Sequence, residues 1–356
     1  MRRAGRTMLA LLALLALPAT AGAQSLGQAV AAAEAAGFSG QVAAADRTTI
    51  LFNRTTPGRT APTRWIWGSV SKQVTAALAM TEVQSGRLSL DDTVRRWLPE
   101  FANAETGTAT VRDLLRHTSG IADPAGAASN EEAPPFYTRT GRGVGGTGDA
   151  LGVCAGPAAG ARGAFRYNNC DTIVLSAILE RTSGRAFADL LRTRIAAPFR
   201  LRSVRLARSG ERPVSGAHPR INVATLGAAG ALIGTAEDLL RFDQALLGGR
   251  LLGAESLAVM WQGEPRLGYV ALGAWEFRAP LRGCSGPVRL VERRGSVAGV
   301  QARNIIAPEL GRAVVAFTAD ADYDFGEIWR GAGFSYELAS AAFCQPAAPS
   351  QAPLRN

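Results

Sequence analysis

The chain almost lacks lysine. Of its 39 Lys and Arg residues only Lys72 is lysine. Histidine is nearly as scarce, with His117 and His218 alone, and cysteine is limited to Cys154, Cys170, Cys284 and Cys344. Each scarcity excludes a chemistry. Two distant histidines, and cysteines without metal-ligand spacing, do not make a zinc site. Beyond the N-terminus no apolar run is long enough to cross a bilayer as a helix. Basic residues are scattered rather than gathered into a stripe interleaved with aromatics, which argues against nucleic acid as a partner. The formal net charge of +10 then reads as an arginine-rich composition.

What is present is ample for a large core. The chain has 356 residues, 47% of them hydrophobic, enough for one large domain or two intimate lobes. Its start has the form of a secretory signal over residues 1–23. Arg2, Arg3 and Arg6 precede an apolar run from Met8 to Leu17, and Ala21-Gly22-Ala23 has the cleavage pattern. The residue immediately after that site is Gln24 and not cysteine, so a lipid anchor is not expected. The expectation is an exported protein, periplasmic or secreted, without a stable membrane anchor. An even number of cysteines in such a chain points to disulfides. Three connectivities are open. The sequence-local choice is Cys154–Cys170 with Cys284–Cys344.

The solitary lysine sits in Gly68-Ser69-Val70-Ser71-Lys72. Arginine cannot be deprotonated in a protein, whereas a buried lysine can lose its proton and act as a base. Gln73 to Met80 reads as a helix that stops at Ser85-Gly86. Ser69 then stands at the helix N-terminus with Lys72 one turn later on the same face, an amine within reach of a hydroxyl. The helix dipole favours a developing alkoxide at the Ser69 end. The pentapeptide alone fits equally well an N-cap serine followed by an exposed lysine.

Along the rest of the chain, Gln24–Ala36 reads as a helix, and Gln41–Ala45 and Thr49–Asn53 as strands joined at Asp46-Arg47. Ser89 is read as the cap of a helix through Leu98, ended by Pro99. Thr110 caps a short helix that stops at Gly120, and His117 is read as fixing the turn there, since its neighbours offer no carboxylate at a suggestive spacing. Residues 122–164 are the least regular stretch. Helices follow over Asp171–Thr182, Ala186–Ala196 and Ala236–Leu247, the last with Thr235 and Asp238 as a capping box. From Leu267 the period becomes two, with strands expected over Gly268–Glu276, Arg289–Arg293, Gln301–Pro308 and Ala313–Thr318. Phe334–Phe343 is a closing helix, and 346–356 a Pro/Ala/Gln tail read as disordered. The reading is a single α+β module over 24–345. A mixed sheet comes from about 24–68 and 260–345, and a largely helical lobe from about 69–259.

Four ordered stretches then carry a family resemblance. Gly68-Ser69-Val70-Ser71-Lys72 resembles the first motif of the serine β-lactamases and penicillin-binding proteins in its class C form. Tyr167-Asn168-Asn169 is similar to their Y-x-N motif. Leu114-Leu115-Arg116-His117-Thr118-Ser119-Gly120 and Gly234-Thr235-Ala236-Glu237-Asp238-Leu239 are similar to two further stretches of class C-like serine hydrolases. The third motif departs from the pattern. Where K-T-G or H-x-G is usual, this chain has Arg293-Arg294-Gly295-Ser296. Arginine keeps the positive charge and can hold a carboxylate bidentately, but it cannot relay a proton.

The resemblance implies a mainly antiparallel sheet flanked by helices, and acyl transfer without metal or cofactor. Ser69 would be the nucleophile and Lys72 its base, with Tyr167 sharing the proton. The backbone N–H groups of Ser69 and Ser296 would form an oxyanion hole. Asn169, Arg293, Gly295 and Ser296 would meet the substrate. Esters, β-lactams and D-amino-acid peptides of the peptidoglycan type stay open as substrates, with Arg293 favouring an esterase or peptidase over an efficient β-lactamase. Two other readings compete: a penicillin- or peptide-binding protein with a degenerate site, and an envelope protein held by its charge. The retained lysine argues against the first, and the second explains none of the motifs.

Overall fold

The computed structural model describes residues 24–58, 64–101, 105–123, 135–141, 143–156, 158–212, 214 and 220–344. The expected signal segment, the tail and His218 lie outside these residues. Six strands form one sheet in the order β2-β1-β9-β8-β7-β6, every neighbouring pair antiparallel. Their ranges are β1 Gly40–Asp46, β2 Ile50–Thr55, β6 Trp275–Ala279, β7 Val288–Val297, β8 Val300–Ala307 and β9 Arg312–Thr318. Both faces of the sheet are covered, so its central strands are buried on both sides. On β1 and β9, Ala43, Ala45, Val315 and Phe317 face one core with the helices Val70–Gln84 and Ala236–Leu247. Val42, Ala44, Val314 and Ala316 face the other, with the helices Leu26–Ala35 and Phe334–Phe343. The chain therefore has the expected α+β architecture with a mainly antiparallel sheet.

A second sheet of three short strands lies in the order β3-β5-β4, with β3 Trp65–Ile66, β4 Arg205–Leu206 and β5 Leu232–Gly234. Strands this short have no readable period. Its effect is local: Trp65 pairs with Gly234, Ile66 with Ile233, and the Trp67 N–H donates to the Leu232 carbonyl at 2.9 Å. The segment entering the Ser69 helix is thereby fixed.

Several expectations need correction. Residues Gly268 and Tyr269 turn in the left-handed region (φ 65° and 66°), so no strand begins at Gly268; β6 starts at Trp275. The helix expected from Ser89 shrinks to Val94–Trp97, because the Ser89 N–H donates to Asp92 and its hydroxyl accepts from the Asp91 N–H, closing a turn instead. Thr235 does cap its helix, accepting from the Asp238 N–H at 3.1 Å. The Asp238 carboxylate closes no capping box and binds the Arg202 and Ser203 N–H groups instead. The stretch taken as irregular contains a helix over Thr147–Cys154. The two disulfides are Cys154–Cys170 and Cys284–Cys344.

Candidate active site

The helix Val70–Gln84 is buried almost all round, so it is the axis of one core rather than a surface helix. Gly68 makes the turn into it at φ 52°, a conformation suited to glycine. Ser69 occupies the N-cap position but makes no capping hydrogen bond, and Lys72 is only 2% exposed. The alternative of a cap serine followed by an exposed lysine is therefore overturned.

Lys72 Nζ has three oxygen neighbours. They are Asn169 Oδ1 at 2.7 Å, the Ala229 carbonyl at 2.8 Å and Ser69 Oγ at 3.2 Å. A neutral amine has two N–H groups and one lone pair. Asn169 Oδ1 and the Ala229 carbonyl can only accept, so they take the two N–H groups. The lone pair of the neutral amine is left for the two hydroxyls beside it, Ser69 and Tyr167, either of which can donate. Burial holds the Lys72 ammonium below its usual range, the Arg293 charge adds to this, and Tyr167 opposes it.

Tyr167 reaches the same hydroxyl from the other side, its OH 2.6 Å from Ser69 Oγ. Arg293 Nη2 donates to that phenol oxygen at 2.8 Å. Burial pushes the Tyr167 phenol up, but the Arg293 and Lys72 charges, with hydrogen bonds from Lys72 and Ser69, outweigh it and bring it to about 8. The residue keeps 37% of its surface exposed while its hydroxyl is engaged on both sides.

Arg293 is buried on β7. Its Nε donates to the Ser69 carbonyl at 2.8 Å, and its guanidinium lies 5.2 Å from the Tyr167 ring and 5.0 Å from the Trp275 ring. The acid beside it in sequence is no partner: Glu292 binds Arg294, whose side chain leaves the opposite face of the strand. Two of the three guanidine nitrogens are thus spent inside the protein.

The β6 pairing with β7 ends at Glu292, so β6 does not cover the stretch Arg293–Val297. That stretch lies against the entrance of the Ser69 helix. A Cβ added at Gly295 would meet the Trp67 carbonyl at 2.2 Å and Ser69 N at 3.3 Å, and one added at Gly68 would lie 3.2 Å from Ser296 N. The amide nitrogens of Ser69 and Ser296 therefore share one seam, and only glycine allows the approach. Beyond them β7 turns into β8 through Ala298-Gly299, both at positive φ, as a two-residue hairpin requires.

The structure brings Ser69, Lys72, Tyr167, Asn169, Arg293, Gly295 and Ser296 together. It also adds residues that sequence reasoning missed. Asn169 is held by Tyr137, whose hydroxyl accepts from Nδ2 at 2.9 Å, and by Asp123, which accepts from its backbone N–H at 2.8 Å. His117 does not use its ring on the local turn. It sits in the left-handed region (φ 58°), and Nδ1 meets Asp171 Oδ2 at 3.0 Å, a carboxylate from 54 residues away. The same carboxylate group accepts from Ser119 and from Asn168 Nδ2. The His117 ring packs 4.6 Å from Tyr167 and buttresses it. Burial, with the Arg293 and Lys72 charges, pushes the imidazole well below its usual range, so it is neutral at pH 7. Ser71 is structural, accepting from the Leu232 N–H at 3.2 Å.

Known proteins resemble the chain in sequence and in fold. Among curated relatives, penicillin-binding protein 4 of Amycolatopsis lactamdurans is 31% identical over 222 residues, 55% of each chain. Esterase EstB of Burkholderia gladioli is 30% identical over 145 residues, 38% of this chain and 36% of its own. The chain spans about half or less of the length of these relatives. Among solved structures, a D-stereospecific amidohydrolase from a Streptomyces species superposes with TM-score 0.70 at 26% identity, covering 90% of this chain and 98% of its own. The D-amino acid amidase of Ochrobactrum anthropi SV3 shares the fold, with TM-score 0.69 at 20% identity over 89% and 98% of the two chains. The sequence matches the family described as Beta-lactamase over residues 28–330, and the chain belongs to that family.

Proposed function

We propose that this protein is an exported serine hydrolase that forms an acyl-enzyme with an ester or amide. One observation carries the reading. Ser69 Oγ, free of any capping role, lies between Lys72 Nζ at 3.2 Å and Tyr167 OH at 2.6 Å. In the reactive state Lys72 and Tyr167 share one proton between them. Whether the pair holds it as neutral amine and phenol or as ammonium and phenolate, Ser69 has an acceptor. The Ser69 proton passes to that pair as Oγ bonds the substrate carbonyl carbon. The amides of Ser69 and Ser296 receive the oxyanion. The pair returns the proton to the leaving group as its bond to carbon breaks, and water releases the acyl group by the reverse traffic. Arg293 supplies fixed positive charge, and Asn169 holds Lys72.

Esters suit this site best, since their leaving groups need little protonation; D-amino-acid amides and peptides come next, and β-lactams last. Two disulfides favour an oxidising compartment, in keeping with a signal segment at 1–23. The test is labelling of the purified mature protein with a fluorophosphonate and, in parallel, a fluorescent penicillin, using Ser69→Ala and Lys72→Arg as controls. The expected result is labelling lost in both variants. A folded wild-type protein that reacts with neither probe would instead indicate a binding protein with a degenerate site.

A further inference from the structure

Among the described residues the exposed aromatic side chains are Phe165, Tyr167, Tyr269 and Trp329. They do not scatter. Phe165 and Tyr167 flank the candidate active site, and their rings lie 6.4 and 6.5 Å from that of Trp275. Trp275 stacks on Arg293 at 5.0 Å and also lines a cavity of about 680 Å³ at the edge of β6. Tyr269, Phe277 and Trp329 line the same cavity. One ring, Trp275, is therefore a wall common to the reactive cluster and to an aromatic trough beyond it.

Two features mark the trough as more than surface. Tyr269 is held at φ 66°, where a bulky side chain is disfavoured, and it still exposes 49% of its surface. Its backbone is pinned there by bonds from Tyr269 N to the Glu264 carbonyl and from Glu276 N to the Tyr269 carbonyl, both 2.9 Å. Strain and exposure of an apolar ring at one position point to a use for that ring. The second feature is charge. Glu276 accepts from Arg289 at 2.9 Å, Arg278 is paired with Glu309, and Arg294, stacked 4.8 Å from Trp329, is paired with Glu292 and Glu327. The charged side chains at the trough are already matched. What it offers a ligand is uncharged ring face.

We propose that this trough, built from Tyr269, Trp275 and Trp329, is the subsite for an uncharged aromatic group of the substrate, reached from Ser69 past Tyr167. The proposal rests on the hydrolase reading above and gives it a specificity. The enzyme prefers esters or amides bearing an aromatic group over those with short alkyl groups.

The test compares two fluorophosphonates, one with an ethyl group and one ending in a naphthyl ring, by their rates of reaction with Ser69. Wild type reacts faster with the naphthyl reagent. Trp329→Ala and Tyr269→Gly, the latter also relieving the left-handed strain, each lower that advantage, read as the ratio of the naphthyl to the ethyl rate, by about 2- to 10-fold. Equal rates in wild type, or an advantage kept in both variants, overturns the subsite. If neither reagent labels wild type, the hydrolase reading fails and the trough is judged alone by calorimetric titration with N-acetylphenylalanine amide. Binding that weakens in both variants sustains it, and no binding, or binding unchanged in them, overturns it.

Discussion

Replacing Arg293 with methionine should turn a moderate pH dependence into a severe one. Methionine keeps the bulk of the side chain between the Tyr167 and Trp275 rings but removes the charge. That charge is the largest influence holding Tyr167 down at about 8, and it also helps hold Lys72 down. Without it only Lys72 and the hydrogen bonds oppose burial, and the phenol moves back up toward its ordinary value of about 10. At pH 7 a group titrating at about 8 is deprotonated in about one molecule in ten, and one at about 10 in about one in a thousand. Acylation at pH 7 should therefore fall about 100-fold in Arg293→Met. By pH 10 both proteins are at least half deprotonated and the difference shrinks to about 2-fold. The assay is kcat/KM for an activated ester from pH 6 to 10, with circular dichroism confirming that the variant is folded. A loss of equal size across that range would refute the electrostatic role and leave Arg293 a purely geometric support.

Three further outcomes follow from the same geometry. Gly295→Ala places a methyl against the Trp67 carbonyl and separates the Ser69 and Ser296 amides. Fluorophosphonate labelling should fall by about 100-fold or more, while Gly286→Ala, with open space around it, should change nothing. Breaking Cys284–Cys344, which closes a separation of 60 residues, should destabilise the fold by about 4 kcal/mol, and breaking Cys154–Cys170, with a separation of 16, by about 3; urea denaturation reads the order. His117 is neutral in the fold, whereas in the unfolded chain an imidazole takes a proton below about pH 6.5. At this site the unfolded state then binds one more proton, a contribution that lowers stability as pH drops through that value, while its partner Asp171, raised by burial, contributes in the opposite sense. Removing the His117 contribution in His117→Asn should change the slope below that value by about 1.4 kcal/mol per pH unit toward greater stability at low pH, measured by urea midpoints between pH 5 and 7.

What could be read in the sequence was whatever local physics dictates. The Ser69 helix announced itself by an apolar run between Gly68 and Ser85-Gly86, and β7, β8 and β9 by their period. The Ser69–Lys72 pair was legible because one turn of helix fixes its geometry. Tyr167, Asn169 and the Arg293 strand could be tied to it only through family resemblance, since nothing in their own spacing says which groups they meet. The His117–Asp171 contact was invisible for the same reason: a neutral imidazole and its carboxylate, 54 residues apart, leave no local pattern. Tyr269 illustrates the opposite error. Alternation suggested a strand from Gly268, but two successive left-handed residues bent the chain and left a ring where none would otherwise point.

The arginine on β7 changes what that position does, and the structure says how. Arginine stays protonated, so Arg293 cannot pass a proton to or from Tyr167. Its Nε and Nη2 are bound to the Ser69 carbonyl and the Tyr167 hydroxyl, and two aromatic rings flank it. It can neither swing toward a substrate nor present its full fork to a carboxylate. In the proposed mechanism proton movement is left to Lys72 and Tyr167, with Arg293 as a stationary positive charge beside them. A substrate recognised by its own carboxylate gains little from such a site. An uncharged ester or amide loses nothing, and the ring that stacks on Arg293, Trp275, is the same one that opens onto the aromatic trough. The loss of the usual proton-carrying residue and the presence of an uncharged aromatic subsite thus point to one substrate chemistry.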